Sequence, residues 1–323
     1  MELKWLEDFM ELAATRNFSA AAAARHITQP AFSRRIRALE NWIGTALIDR
    51  SSYPIKLTGA GETFLEASRD LMRDAYRLRD ECRQQSSGGL EVVSFSAFHT
   101  IALSVFPDLL VDIEQRSGQF ITRMHATDFY DCVESLTLGR CDIAFCYAHE
   151  FGPPVSPTGQ FLSKTIGFDP FCLVSHLPGD KLFAISAAGA KSASDISLIS
   201  YSSDCFLSKI QAHMMHELRK KKGITFRTVY ENTMSEAVKR MVMAGKGVGW
   251  LPRSAARREI EEDKLFVIEE GSAPVDLSIL AIRKQGSASA AAERFWANLP
   301  DESARKPTAN AARTPREGVF ETS

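Results

Sequence analysis

The stretch Thr28-Gln29-Pro30-Ala31-Phe32-Ser33-Arg34-Arg35-Ile36-Arg37-Ala38-Leu39-Glu40 holds two incompatible sets of side chains at helical spacing. With Gln29 set at about 0° and about 100° per residue, Ser33 falls at roughly 40°, Arg37 at roughly 80°, Pro30 at roughly 100° and Arg34 at roughly 140°. Phe32, Ile36 and Leu39 fall together on the other side. One face must therefore be buried. The other offers an amide, a hydroxyl and two guanidiniums, groups that suit base edges and phosphates in a DNA major groove. A solvated helix face would carry the same residues, so the neighbouring segments decide between the two.

Upstream, Leu3, Leu6, Phe9, Met10 and Ala13 predict an amphipathic first helix. Ser19 is placed to cap a second helix over 20–25, with Phe18 as a hydrophobic staple. Thr28 is placed to cap the third, where Pro30 costs no intrahelical bond. Downstream, Leu47–Arg50 and Ile55–Thr58 read as two short strands joined by a turn over Ser51–Pro54, a wing with Arg50 and Lys56 on its flanks. Between Arg16 and Lys56 there are seven basic residues and only two acids, Glu40 and Asp49, although the chain's net charge is −1. A local basic patch on a neutral chain is what a small DNA-binding module requires.

Phe18-Ser19-Ala20-Ala21-Ala22, the run from Thr28 to Glu40, Leu47-Ile48-Asp49-Arg50 and Leu57-Thr58-Gly59-Ala60-Gly61 together resemble the DNA-binding domain of LysR-type transcriptional regulators. The resemblance runs without a gap from about Trp5 to Gly61. It implies that Gln29, Pro30, Ser33 and Arg34 read bases, with Arg37 on the same face, and that Ser19, Arg50 and Thr58 hold the DNA backbone. Ile48 stands where the family usually has phenylalanine, and Pro54 where many members have a further basic residue.

From Gly61 a seam follows at steps of three and four, through Phe64, Ser68, Leu71, Ala75, Leu78 and Cys82. Its alternately small residues let two helices approach closely, so a dimerising helix is expected, flanked by charges such as Arg73 and Arg77. The expected organisation is a winged helix-turn-helix over 1–58, a dimerisation helix over 59–87 with a hinge at Gln84–Gly89, and an effector domain over 90–299. Residues 300–323 are expected to be disordered.

The effector half alternates strand and helix. Strands are expected at 91–96, 120–125, 141–147, 170–174, 198–201, 226–230, 247–251 and 275–282. Helices are expected at 101–115, 131–138, 204–221, 234–244 and 290–299. This predicts an α/β fold with mostly parallel sheets in two lobes, the first over about 90–165 and 270–299, the second over about 166–269. In such lobes ligands bind beyond strand C-termini. That places His99 and Thr100, Ser202 and Ser203, and Thr233 and Met234 (after Asn232) as candidate effector contacts. Ser, Thr and Asn are also common helix caps, so each could serve the fold alone. This half is similar to the LysR-type effector domain, of periplasmic-binding-protein fold, most clearly at Gly245–Pro252.

Within the family, Trp5–Phe9, Arg16–Ser19, Gln29–Glu40, Met234–Glu236 and Trp250–Pro252 resemble the hypochlorite-responsive branch. That likeness implies sensing by sulfur oxidation, with Met234 the first candidate among Met214, Met215, Met234, Met241 and Met243; methionine at helical spacing otherwise fills cores. The six cysteines include no CxxC pair and no zinc spacing, and read as free, mostly buried thiols of a reducing compartment.

No apolar run nears the ~18–20 residues needed to span a bilayer, and Met1–Trp5 lacks the basic start and apolar core of a signal peptide. The chain is expected in the cytoplasm, on the nucleoid. Gly245–Gly249 follows a helix and precedes a strand, the reverse of a phosphate loop, and no GxSxG or HExxH occurs. No cofactor, metal or catalytic residue is expected. A sequence-specific regulator is the expected function, switched by a small-molecule effector or an oxidant. Its expected partners are double-stranded DNA, RNA polymerase and a second copy in a homodimer or tetramer. The alternative is a small-solute-binding module or an enzyme with no DNA role.

Overall fold

The computed structural model describes residues 2–52, 54–84, 91–152, 161–179, 196–268, 274–286 and 289–303. Contacts divide the chain into two compact units, residues 1–92 with 134–142, and 93–133 with 143–323.

The first unit is built from α1 (Leu3–Thr15), α2 (Phe18–Ala24), α3 (Gln29–Ile43), β1 (Ile48–Asp49), β2 (Lys56–Leu57) and α4 (Gly59–Gln84). Phe9, Leu12, Ala21, Phe32, Ile36, Leu39, Leu47 and Ile48 form one buried cluster beneath the three short helices. Ile48 fills a core position, as a phenylalanine there would. The antiparallel β1–β2 pair, Ile48 opposite Leu57 and Asp49 opposite Lys56, makes the wing; part of its expected turn, residue 53, lies outside the described residues. Gly61 is obligatory, because a Cβ there would sit 2.1 Å from the Leu47 carbonyl oxygen.

Two capping expectations are corrected. α2 starts at Phe18, and its cap is Asn17, whose Oδ1 accepts from Ser19 N at 2.9 Å and Ala20 N at 3.1 Å. Asn17 holds the extended backbone that a cap requires, which leaves Ser19 inside the first turn. Thr28 does precede α3, but its side chain makes no capping bond; only its carbonyl accepts, from Phe32 N.

The seam on α4 is divided. Gly61, Phe64 and Ser68 pack inside the unit, with Phe64 edge-on to Phe9 at 5.4 Å. Leu71 and Leu78 are 45% and 60% exposed and Cys82 is exposed. The side chains of Arg73 and Arg77, and the expected hinge beyond Gln84, lie outside the described residues.

The second unit centres on a seven-stranded sheet of β3 (Val92–Phe98), β4 (Ile121–Thr127), β5 (Ile143–Ala148), β6 (Phe161–Ser175), β9 (Gly249–Pro252), β10 (Phe266–Val267) and β11 (Val275–Lys284). Its order is β10-β6-β11-β5-β3-β4, with β9 also on β6. A second sheet pairs β7 (Ile196–Tyr201) with β8 (Phe226–Asn232) in parallel. Helices α5 (His99–Ser104), α6 (Phe106–Ser117), α7 (Phe129–Thr137), α8 (Phe206–Lys222), α9 (Ser235–Met243), α10 (Arg253–Glu261) and α11 (Ala290–Ala297) connect them.

The α/β class holds, but the sheet is mixed rather than mostly parallel. β3 and β5 are parallel, whereas β11 returns between β5 and β6 and is antiparallel to both. β6 is 15 residues long, far beyond the expected 170–174. Its first half is partly exposed and so lacks an apolar run. The single helix expected over 101–115 is two: Pro107 has no amide hydrogen to give Leu103, and the chain restarts at α6. α10 was not anticipated because it buries only Ala255 and Ala256.

Phe95, Phe106, Phe145 and Phe295 interlock with ring centroids 4.7–6.3 Å apart, which anchors α11 against the strands. The tail expected to lose structure from 300 is held a little further, since Glu302 N donates to the Thr165 carbonyl at 2.7 Å; residues 304–323 lie outside the described residues. No helix among the described residues is long and apolar enough to cross a membrane.

Candidate nucleic-acid interface and effector cavity

On α3, Gln29, Pro30, Arg34 and Arg37 are exposed and Ser33 is half-buried, while Phe32, Ile36 and Leu39 are fully enclosed. The Gln29 amide donates to Ser33 Oγ at 3.2 Å, which pre-orders the first turn of the polar face. Neither Arg34 nor Arg37 makes an ion pair among the described residues. Ser19 is exposed at the start of α2.

The remaining candidates have work within the fold. Arg50 donates to Glu40 Oε2 at 2.6 Å and lies 5.9 Å from the Phe18 ring centre. The Thr58 hydroxyl donates to the Ala46 carbonyl at 2.8 Å and accepts from Gly61 N at 3.0 Å, capping α4. Its proton is thus held within the fold in this structure. The basic patch shrinks for the same reason. Arg25 is bonded to Glu7 and Asp8, and Arg35 to Asp8, two acids that lie outside the counted window. Arg16, Arg34, Arg37 and Lys56 remain exposed.

In the second unit a small, partly open pocket is lined by His99, Thr100, Leu103, Ser104, Met234, Ser235, Glu236 and Ala255. Strand ends place these groups, as expected: β3 delivers His99 and Thr100, and the turn after β8 delivers Met234. Three of the six candidates therefore meet. Ser202, Ser203 and Thr233 do not line the cavity. Ser202 N is bonded to the Asn232 carbonyl, Ser203 receives the Ser208 hydroxyl, and the Thr233 carbonyl receives the Cys205 thiol.

Ser235 was missed, yet it is central. The Thr100 hydroxyl donates to Ser235 Oγ at 2.9 Å, and the Tyr201 hydroxyl lies 2.9 Å from the same atom. Only its place next to Met234, in the first turn of α9, could have flagged it. Burial would raise the Glu236 pKa, but hydrogen bonds from Lys239 and Arg240 outweigh it and hold the carboxyl below its ordinary value. The cavity therefore combines hydroxyls, one imidazole, one thioether and a carboxylate paired with two cations.

Five of the six cysteines are buried. Burial pushes Cys132 and Cys172 up to about 12 and Cys205 to about 11, and raises Cys146 further. Thiolate is the reactive form, so these sulfurs are poorly nucleophilic. Native protein at neutral pH is expected to give one fast thiol with a maleimide, Cys82, and the rest only on denaturation. A mass spectrum after a short exposure checks this; a second fast native thiol would contradict it.

A winged helix-turn-helix ahead of a two-lobed α/β unit with a cavity between strand ends defines a ligand- or signal-responsive DNA-binding regulator. Residues 3–62 match the bacterial regulatory helix-turn-helix protein, lysR family, and residues 86–304 match the LysR substrate binding domain. The chain belongs to the LysR family, as a DNA-binding transcriptional regulator with an effector-binding domain. That family is made of regulators, not enzymes. The HTH-type transcriptional regulator YjiE of Escherichia coli is 31% identical over 301 residues, covering 93% of this chain and 94% of YjiE. Full-length HypT from Salmonella typhimurium, a hypochlorite-specific LysR-type transcriptional regulator, is 29% identical with TM-score 0.52, covering 93% of this chain and 97% of HypT. Vibrio fischeri DarR in complex with DNA is 28% identical with TM-score 0.54, covering 93% of this chain and 98% of DarR.

Proposed function

We propose that the exposed face of α3 reads an operator, with Gln29, Pro30, Ser33 and Arg34 toward base edges and Arg37, Ser19 and Lys56 toward phosphates. The observation that carries this is the clean division of α3 into an enclosed apolar side and an exposed side of donors. Two copies pair through the exposed part of the α4 seam at Leu71 and Leu78, and so present two reading heads to a near-palindromic site. RNA polymerase is the downstream partner, and the cytoplasmic nucleoid is the place of action.

The cavity at His99, Thr100, Ser235 and Met234 receives the signal. An oxidant is favoured over a metabolite by the likeness to HypT and by Met234, which is 37% exposed at the pocket wall while every thiol but Cys82 is shielded. Oxidation would make the thioether polar and disturb its packing.

Binding to the DNA upstream of its own gene, measured across a salt series, tests the reading. Arg34→Ala is expected to weaken the specific complex about 10- to 100-fold and to relax sequence discrimination, whereas Arg37→Ala is expected to lower the salt slope by about one. A variant indistinguishable from wild type would make α3 a merely solvated surface. Repeating the titration after hypochlorite treatment tests the oxidant arm.

A further inference from the structure

Asp8 sits on α1 with none of its surface exposed, a costly place for a carboxylate unless it is fully paired. Its Oδ1 accepts from Nε of Arg25, the C-cap of α2, at 2.8 Å, and its Oδ2 from an Arg35 terminal nitrogen of α3 at 3.1 Å. Arg25 reaches on to Glu7 Oε2 at 2.5 Å, and Glu7 Oε1 accepts from the Tyr76 hydroxyl of α4 at 2.6 Å. One chain of charge-assisted bonds, Arg35–Asp8–Arg25–Glu7–Tyr76, thus runs through all four helices of the first unit.

Apolar packing alone would not fix how α3 is turned. Burial of Phe32, Ile36 and Leu39 is favourable but non-directional, and a small rotation of α3 about its axis would keep most of it. Guanidinium–carboxylate bonds are directional. On the helical projection Arg35 falls at roughly 240°, about 100° beyond Arg34 and away from the polar face. It cannot point into a groove that Gln29 and Arg34 enter. Its geometry holds the helix, and does not read with it.

We infer that Asp8 is a positioning residue for DNA reading. Through Arg35 it sets the rotation of α3, through Arg25 it seats α2, and Glu7 and Tyr76 extend the same network to α4. Arg25 and Arg35 are consequently internal cations and not phosphate contacts, although their charge places them in the basic patch. The inference rests on the reading of the α3 face given above.

The test compares wild type, Asp8→Asn, Arg35→Gln, Arg34→Ala and Arg37→Ala at a temperature where circular dichroism shows each folded. Two probes are used: a duplex selected from a randomised pool by the wild-type protein, and a scrambled duplex of the same composition. Asp8→Asn and Arg35→Gln are expected to lower affinity for the selected duplex about tenfold, because misaligned base contacts each matter by that order. Affinity for the scrambled duplex should stay within about twofold and the salt slope should not change, since no phosphate contact is lost. Arg37→Ala, which removes a phosphate contact, should lower the slope by about one. If Arg35→Gln lowers the slope by the same amount, Arg35 contacts phosphate and the inference fails. If both clamp variants bind the selected duplex as wild type does while Arg34→Ala does not, the network serves stability alone and the inference fails by itself. If Arg34→Ala also binds normally, the reading of the α3 face falls and takes the inference with it. Should Asp8→Asn not fold, Arg35→Gln decides the matter, because its side chain is 34% exposed and tolerates the change.

Discussion

Glu40→Ala is expected to remove about 3 kcal/mol of stability from the DNA-binding unit, which places it among the more costly single changes there. Glu40 Oε1 accepts from two backbone amides, Leu47 N at 3.0 Å and Ile48 N at 3.2 Å, and Oε2 accepts from Arg50 at 2.6 Å. Leu47 and Ile48 are buried and their bonds to Glu40 partly so, and their amides regain water poorly once the carboxylate is gone. A hydrogen bond to a charged group contributes about 1.5–3 kcal/mol, and a stranded buried donor costs about 1–3 kcal/mol. The Arg50 bond adds little, since that side chain is 43% exposed and rehydrates. Urea unfolding followed by circular dichroism gives the number. Glu40→Gln keeps an acceptor for both amides and should lose less than half as much. An alanine variant within about 1 kcal/mol of wild type would show that the wing is held by its core contacts alone. The wing leaves α3 through this carboxylate, so the alanine variant should also bind the selected DNA more weakly at temperatures where it is still folded.

What the sequence made legible was local. The helices of the first unit announce themselves through the spacing of Leu6, Phe9, Phe32, Ile36 and Leu39, and each of these is enclosed in the structure. Interactions between distant residues left no such mark. Glu40 could be read only as a charge opposing the basic patch, because the amides it receives come from another element. Asp8 lies 17 and 27 residues from its two arginines, so its pairing has no sequence period. The cap of α2 slipped from Ser19 to Asn17 because both residue types can cap and only the backbone chooses between them.

The same division holds in the second unit. Strand C-termini located His99, Thr100 and Met234 at a cavity, since that rule follows from α/β connectivity. It failed for Ser202 and Ser203, which are consumed in the turn into α8. Strand direction was not legible either. β11 comes back across the sheet after α10 and β10, and nothing in its alternation tells a parallel from an antiparallel neighbour. Ser235 illustrates a further limit: a buried serine gains its meaning only from Thr100, 135 residues away, and from Tyr201.

Asp169→Ala should be the most damaging change in the effector unit, at about 3–4 kcal/mol. Asp169 is 3% exposed on β6. Its Oδ2 accepts from the Tyr147 hydroxyl of β5 at 2.6 Å and from the Ser254 hydroxyl at 2.5 Å, and its Oδ1 accepts from Ser254 N at 3.0 Å. One carboxylate thereby ties β5, β6 and the first turn of α10. Alanine would strand the Tyr147 hydroxyl in a fully buried place, leave both Ser254 donors without an acceptor, and open a small void. Burial raises the Asp169 pKa above the ordinary 3.8, and the bonds from Ser254 and Tyr147 only partly offset it. The sign of the pH effect follows. The folded state then holds the proton more tightly than the unfolded state, so this group's contribution to stability is complete below the unfolded pKa and is lost as pH rises through the folded one. Asp169→Asn does not titrate and keeps one acceptor. Urea midpoints for wild type and Asp169→Asn between about pH 4 and about pH 7 should therefore show wild type losing ground to the variant as pH rises. Wild type gaining on the variant over that range would mean that the three donors outweigh burial and hold the carboxylate charged. The tie between the strands and α10 would then be ionic at neutral pH, at no net cost to the fold.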